Sequence, residues 1–207
     1  MPKTTAPPEE TADVLRAAVA PWAALTDDEA RELGAAFAPR DLAAGAHLAL
    51  PGTERHEVVY VVAGLLRFYY PGADGAESNK AFLAEGEFGG PLAAAALGLP
   101  ILYGVEALEP TRVLAAPHAA FAALVERGGP FEWVGRKLTE RLLVRKELRT
   151  RSLLQDDARA RYLAFVRDHP ALAQRVPLYH VASYLGVTDV HLSRVRRGLA
   201  EGDLNKG

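Results

Sequence analysis

The 207-residue chain contains no cysteine. Disulfide bonds, zinc-thiolate sites and iron–sulfur clusters depend on thiols, so all three are excluded. Long apolar runs are missing as well, because no window approaches the roughly 20 uncharged residues of a membrane span. The polar, proline-rich N-terminus also lacks the apolar core of a signal peptide. We therefore expect a cytoplasmic protein without membrane contact.

Clustered metal ligands and catalytic groups are also scarce. The six histidines form no HxH or HxxxH pair, which argues against a metal site. No nucleophile–base arrangement and no glycine-rich phosphate loop is recognisable, so we predict neither a cofactor nor enzymatic activity. A cupin-type metalloenzyme is one alternative, but it needs clustered ligands on adjacent strands, and His47 and His56 alone do not supply them.

The amino-acid composition is that of a globular protein, and the charge is unevenly distributed along the chain. Hydrophobic residues make up 49% and charged residues 24%, as is typical of folded domains. The net charge of −2 conceals a value of −8 for residues 1–129 and of +6 for residues 130–207. This asymmetry indicates two units with different partners, the second suited to a polyanion. A long, solvated arginine-rich helix would produce the same excess of positive charge.

Residues 26–116 combine a short helix with a series of short strands. Thr26 is the predicted N-cap of the helix. Only Ala63-Gly64 separates two apolar runs, Val58–Val62 and Leu65–Tyr70, and this spacing predicts a hairpin. Short strands at such intervals are typical of an antiparallel barrel or sandwich. Further strands are predicted at Glu77–Leu83, Tyr103–Leu108 and Thr111–Ala115, and one or two helical turns at Pro91–Leu97.

A long helix is predicted from Pro130 to about Leu154, after a shorter one that begins at Pro117 and ends at Gly128-Gly129. At 1.5 Å per residue the long helix measures about 35 Å, more than a small barrel needs for cover. We expect a second copy to pack along it in a two-fold dimer; the alternative is packing on its own barrel alone. The predicted dimer seam consists of Val134, Leu138, Leu142 and Arg145.

The segment Leu178–Arg197, LYHVASYLGVTDVHLSRVRR, meets the requirements of a helix-turn-helix. Two helices that cross closely need a small residue at their contact, here Ala182, and a turn residue with positive φ, here Gly186. Thr188 is the predicted cap of the second helix. The positions expected to be buried are all apolar: Val181, Leu185, Val187, Leu192 and Val195.

The second of these helices is expected to lie in the major groove of double-stranded DNA. Arg194 is the candidate for a bidentate contact with guanine. The alternative is a helical hairpin in a protein–protein module, which would not predict a basic outward face. The other DNA-binding candidates are the outward-facing Asp189, His191 and Ser193 and, for phosphate contacts, Thr188, Arg196 and Arg197.

Four stretches in this order resemble the cyclic AMP receptor/fumarate–nitrate regulator (CRP/FNR) family of bacterial transcription regulators: VVYVVAGLLRFYYPGADG, EGEFGG, VEALEPTRVLAAP and VASYLGVTDVHLSRVRR. The resemblance implies an α+β fold. An N-terminal antiparallel β jelly roll, like a cyclic nucleotide-binding domain, would occupy residues 1–128, a dimerisation helix 129–155 and the helix-turn-helix domain 156–207. It also implies a homodimeric regulator on palindromic operators, with RNA polymerase as a further partner. The alternative function is a cyclic-nucleotide-binding-like module that regulates a protein partner.

The chain departs from this family where members that bind cyclic AMP hold the ligand. Gly90 replaces the glutamate of the family's Gly-Glu pair, and the region around Tyr103 has no arginine for the phosphate. A buried phosphate without a cation would lack its charge-assisted partner, so cyclic AMP is not the expected effector. The candidates for an effector pocket are Glu87, Gly89, Gly90 and Tyr103.

The resemblance also assigns roles outside this pocket. Gly64 falls at the family's hairpin glycine and Arg194 at its base-reading arginine. Val190 stands where many members carry a base-reading glutamate, so the usual target consensus is not carried over. Only Gly198–Gly207 follow the second helix, too few residues for most of the usual β-wing, and we expect this tail to fray.

Overall fold

The computed structural model describes residues 8–73 and 75–204, with side chains for residues 9–73 and 75–199. It has the α+β fold expected from the sequence. The strands are β1 Ala38–Leu42, β2 His47–Ala49, β3 Glu57–Ala63, β4 Leu65–Pro71, β5 Glu77–Ala84, β6 Phe88–Gly89, β7 Gly104–Ala107 and β8 Thr111–Pro117. The helices are α1 Pro8–Val19, α2 Asp27–Ala36, α3 Leu92–Leu97, α4 His118–Glu126, α5 Pro130–Gln155, α6 Ala158–Asp168, α7 Pro170–Arg175, α8 Leu178–Leu185 and α9 Asp189–Leu204.

The chain divides into two compact units. The first consists of Met1–Phe68 and Phe82–Leu143, and the second of Tyr69–Ala81 and Val144–Gly207. These limits differ from the predicted domains in two respects. The division falls inside α5 rather than at either of its ends, and the connection between β4 and β5 belongs with the C-terminal helices.

The strands form two four-stranded sheets, in the orders β1-β8-β3-β6 and β2-β7-β4-β5. β8 pairs antiparallel with both β1 and β3, and most neighbours in each sheet are far apart in the chain. This is the topology of a jelly roll, so that expectation is confirmed. Apolar side chains of β3 and β4, among them Val58, Val61, Leu65 and Leu66, are fully buried.

The predicted hairpin between β3 and β4 is wrong, because the two strands belong to different sheets. Gly64 forms the corner between them with a φ of 95°. A Cβ at this position would lie 2.6 Å from Thr111 Cα. Thr111 also fixes the corner, because its hydroxyl accepts a hydrogen bond from the Leu65 N–H at 3.0 Å. Gly64 therefore redirects the chain from one sheet to the other.

The N-terminal helix α1 was not predicted from the sequence. Its Leu15 and Val19 are fully buried in the core of the first unit, and with Ala12 they follow helical spacing, which the surrounding prolines and acids obscured. The predicted N-cap of α2 is confirmed as a complete capping box. The Thr26 N–H donates to the Glu29 carboxylate at 2.8 Å, and the Glu29 N–H donates to the Thr26 hydroxyl at 3.3 Å.

Helix α5 has 26 residues, which corresponds to about 39 Å. Its predicted dimer seam is placed differently by the structure. Val134 and Leu138 are buried in the core of the first unit and Leu142 packs against the same core, while Arg145 is half-buried. The apolar spacing was real, and within this chain it marks the face that covers the helix's own domain.

A different face of α5 is apolar and exposed. Leu143, Val144 and Leu148 are 64%, 56% and 60% exposed. Neither α5 nor any other helix in the described part of the chain combines the length and apolarity needed to cross a bilayer.

Helices α6–α9 make up most of the second unit. The Asp157 side chain caps α6 by accepting from the Ala160 N–H at 2.8 Å, and the helix ends at Asp168. The short α7, which begins at Pro170, was not predicted. The tail expected to fray from Gly198 instead continues α9 to Leu204, and residues 205–207 lie outside the described part of the chain.

Candidate nucleic-acid interface

The turn between α8 and α9 has the geometry that the sequence predicted. Gly186 ends α8 in the left-handed conformation, with a φ of 68°, and the Val187 N–H returns to the Ala182 carbonyl at 3.0 Å. Ala182 is fully buried, so the two helices approach without a bulky side chain between them. The Thr188 hydroxyl accepts the His191 N–H at 3.2 Å, which caps the first turn of α9.

The expected burial pattern holds around this turn. Val181, Leu185 and Leu192 are buried, and Val187 and Val195 are half-buried. These apolar positions fix one face of α9 against the unit and direct the opposite face outward. All seven candidate DNA-contacting residues are exposed: Thr188, Asp189, His191, Ser193, Arg194, Arg196 and Arg197.

The cations on this outward face, Arg194, Arg196 and Arg197, have no acidic partner among the described side chains. A guanidinium in this state keeps its five donors for an external acceptor, and its planar fork suits a phosphate or the edge of guanine. The surface of α9 is therefore chemically able to bind a polyanion.

A polar cluster that sequence analysis missed holds the start of β5 against α8. We call it the Asn79 latch, formed by Glu77, Asn79, His180 and Ser183. The Asn79 amide nitrogen donates to the His180 carbonyl at 3.0 Å and lies 3.1 Å from His180 Nδ1. The Asn79 N–H donates to the Ser183 hydroxyl, which donates to the Glu77 carbonyl, both at 2.9 Å. Both Asn79 and His180 are buried, so the latch orders the first helix of the pair.

Cations surround this latch. Arg149 donates to the Tyr184 carbonyl, and its guanidinium lies 3.8 Å from the centre of the Tyr184 ring. Burial, together with the smaller effect of the nearby Lys146, lowers the pKa of Lys80 to about 8. The support of α8 thus combines neutral hydrogen bonds with partly desolvated positive charge.

Replacing Asn79 with alanine is expected to loosen α8. The change leaves a buried carbonyl and a buried imidazole nitrogen of His180 without this donor. We expect this loss to lower the free energy of unfolding by about 1–3 kcal/mol. We expect faster amide hydrogen exchange in residues 178–185 of the variant. Ser78→Ala is the matched control, because Ser78 is the exposed neighbour on the same strand. Equal exchange in both variants would show that the latch does not stabilise α8.

The candidate effector pocket is only partly assembled. Gly90 and Tyr103 line a cavity inside the barrel, but Glu87 does not, because its carboxylate accepts the Ala84 N–H at 2.8 Å in the turn before β6. Gly89 is buried against Leu83. The cavity measures about 20 Å³, which is room for little more than one water molecule.

Two charged residues of this cavity were not predicted. Arg55 and Glu57 belong to its lining, and Glu57 is buried between two arginines. Arg55 Nε donates to Glu57 Oε1 at 3.0 Å, and Arg40 donates to both oxygens of the same carboxylate. Gly90 has no room for the family's glutamate, because a Cβ there would lie 2.5 Å from the Glu57 carbonyl oxygen.

Comparison with known proteins agrees with this architecture. Residues 39–128 match the family model of the cyclic nucleotide-binding domain. No curated protein matches the chain by sequence. The chain is similar to the solved structure of a CooA variant from Carboxydothermus hydrogenoformans, with 22% identity and a TM-score of 0.63 over 81% of this chain and 78% of that one.

Two other solved structures give the same result. The c-di-GMP-responsive global regulator CLP of Xanthomonas campestris is 17% identical, with a TM-score of 0.64 over 84% of this chain and 91% of that one. A protein of Eubacterium rectale described as a transcriptional regulator of the crp/fnr family is 13% identical, with a TM-score of 0.68 over 86% and 85%. At such low identities the similarity establishes the fold alone. This shared fold confirms the resemblance to the CRP/FNR family.

Proposed function

We propose that this chain, which joins a cyclic-nucleotide-binding-like domain to a helix-turn-helix in the fold of CRP/FNR regulators, is a sequence-specific DNA-binding transcription regulator without enzymatic activity. The observation that carries the proposal is the outward face of α9. It follows a tight turn, is capped by Thr188, and presents the exposed Arg194 and Arg197, with Arg196 exposed further round the helix; none of the three has an acidic partner among the described side chains.

The residues of α9 suit distinct roles in a major groove. Arg194 is placed for bidentate recognition of guanine, and Asp189, His191 and Ser193 for other base edges. Val190 is 62% exposed, which suits an apolar contact with a thymine methyl group. Thr188, Arg196 and Arg197 would contact phosphates and set the register of the helix on the duplex.

The regulator is proposed to act as a homodimer through α5. Val144 and Leu148 lie four residues apart on one face with Leu143 beside them, and all three are exposed. A helix with such a stripe commonly packs against a second copy of itself. Two-fold symmetry then requires a palindromic site with half-sites about 34 Å apart. By the resemblance to the CRP/FNR family, RNA polymerase is proposed as a further partner.

Cyclic AMP is not the proposed effector. The barrel cavity of about 20 Å³ is far below the 300 Å³ or so at which ordinary ligand pockets begin. Its cation, Arg55, is engaged by Glu57, so it is not free to pair with a cyclic phosphate. This effector assignment is independent of the DNA-binding proposal.

The test is selection of bound sequences from a random pool of duplex DNA by the purified full chain. We expect a palindromic motif whose two halves are one helical turn apart. The alternative function, a module that regulates a protein partner through its C-terminal helices, predicts no enriched motif. Enrichment of a single half-site without symmetry would contradict the dimer while supporting the DNA-binding role.

Arg194→Ala is expected to weaken binding to the selected site by about 1–3 kcal/mol, or about 5- to 150-fold, for each half-site, because one bidentate base contact per half-site is lost. Discrimination at one base pair of each half-site should disappear. Arg197→Ala is the matched control, since loss of a phosphate contact weakens all sequences alike. Competition binding with singly substituted operators measures both effects. An unchanged preference in Arg194→Ala would exclude this residue as the base reader.

A further inference from the structure

A second cavity, partly open to solvent, lies among the helices of the second unit. It has a volume of about 170 Å³. An apolar protein cavity of about 150 Å³ is sufficient to bind benzene, so this space accommodates one aromatic ring but not a nucleotide. Its lining comes from α6, α7, α8 and α9 and the segments between them: Tyr162, Phe165, Ala173, Val176, Leu178, Val181 and Arg196.

The lining combines apolar side chains with a single charged one, and polar atoms contribute the larger part of its accessible surface. Phe165, Val176 and Val181 are buried, and they offer a ring the contacts that an aromatic ligand needs. Arg196 is the charged member of the set, and no ion pair holds it among the described side chains. Its guanidinium is matched in geometry by a carboxylate, with two parallel N–H···O bonds. Ring-sized space beside apolar side chains and one cation is complementary to a small aromatic anion.

We propose that this cavity is a binding site for a small aromatic carboxylate, with the ring between Phe165 and Val181 and the carboxylate on Arg196. The site lies outside the barrel, so it does not require the family-type effector pocket. Arg196 is also a proposed phosphate contact of α9. A carboxylate on its guanidinium competes with that contact and lowers DNA affinity, a consequence that rests on the proposed function, whereas ligand binding itself does not.

Isothermal titration of the full chain with three probes tests the site. Benzoate carries both the ring and the charge, benzyl alcohol the ring alone, and acetate the charge alone. We expect benzoate to bind at least about tenfold more tightly than either, because only benzoate satisfies both the apolar walls and the charge-assisted hydrogen bonds. Absence of benzoate binding, or benzoate no tighter than acetate, overturns the proposal.

Two variants locate the binding. Arg196→Gln should weaken benzoate about tenfold and leave benzyl alcohol unchanged, and Ala173→Leu, which fills the cavity, should abolish both. Arg194→Gln is the matched control on the same helix, since Arg194 is not part of the lining. Arg196 is exposed, so its variant keeps the test valid even if Ala173→Leu does not fold. Benzoate binding that survives Arg196→Gln unchanged overturns the assignment.

Repeating the titration with operator DNA present separates the two proposals. If benzoate binds and also weakens DNA binding in the wild type but not in Arg196→Gln, the site and its coupling are both supported. If the chain binds DNA but not benzoate, only the ligand site fails. If it binds benzoate but no DNA, the ligand site stands and the proposed function fails.

Discussion

Raising the salt concentration from 50 to 200 mM is expected to weaken binding of the full chain to its operator by about 10²-fold. The reason is the release of counterions from DNA phosphates. Each α9 offers two cations for phosphate contacts, Arg196 and Arg197, so a dimer neutralises about four phosphates, while the uncharged Thr188 adds a contact without releasing a counterion. A plot of the logarithm of the binding constant against the logarithm of salt concentration should then have a slope of about −4.

Fluorescence anisotropy with labelled operator DNA measures this slope. Arg197→Ala should reduce its magnitude by about 2, one for each copy in the dimer. Arg194→Ala should lower the affinity with a smaller change of slope, because its proposed contact is with a base. Binding that is weak and almost independent of salt would contradict the proposal and favour a protein partner for the C-terminal helices.

The helix-turn-helix could be predicted from the sequence because its constraints are local. Ala182, Gly186 and Thr188 lie within seven consecutive residues, and each is required by a contact or backbone angle inside that segment. The same holds for the capping box of α2, whose two partners are three residues apart. Where the interactions that fix a feature lie within one or two helical turns, a short stretch of sequence is sufficient to predict that feature.

Features that depend on distant residues could not be predicted in this way. Only Gly64 separates β3 from β4, which is close enough for a hairpin. Their pairing is nevertheless decided by β8, which begins 54 residues after β3 begins, and by β7, which begins 39 residues after β4 begins. The Asn79 latch joins residues 101 positions apart. Neither Asn79 nor His180 carries a local signal, because an isolated polar residue on a strand or helix is ordinarily solvated.

Helix α5 shows a further reason why sequence alone does not predict the packing of an element. The spacing of Val134, Leu138 and Leu142 correctly indicated an apolar face, but periodicity states only that a face is buried, not by what. The face proposed for the dimer, which carries Leu143, Val144 and Leu148, competes with it on the same helix. Only the position of the barrel core in the structure shows which of these two apolar faces is buried within the chain.

Gly64→Ala is expected to destabilise the barrel by about 3 kcal/mol or more. Two causes add up at this position. The φ of 95° is unfavourable for any residue with a Cβ, and the added Cβ would lie 2.5–2.7 Å from the side chain and backbone of Thr111 and from the Pro110 carbonyl oxygen. Backbone atoms cannot move aside without disturbing β8, so the strain must be borne by the corner between the two sheets.

Gly86→Ala separates the two causes, because Gly86 has a similar φ of 80° but no heavy atom within 4 Å of its would-be Cβ. It should cost only the conformational penalty, about 1–2 kcal/mol. Urea unfolding followed by tryptophan fluorescence is a suitable measurement, since Trp22 packs against Phe88 in the same unit, with ring centres 5.8 Å apart. Equal losses of stability in the two variants would show that the corner relaxes around a methyl group. A loss at Gly64 larger by about 1–3 kcal/mol would show that close packing against Thr111, and not the backbone angle alone, requires glycine where the chain passes between the sheets.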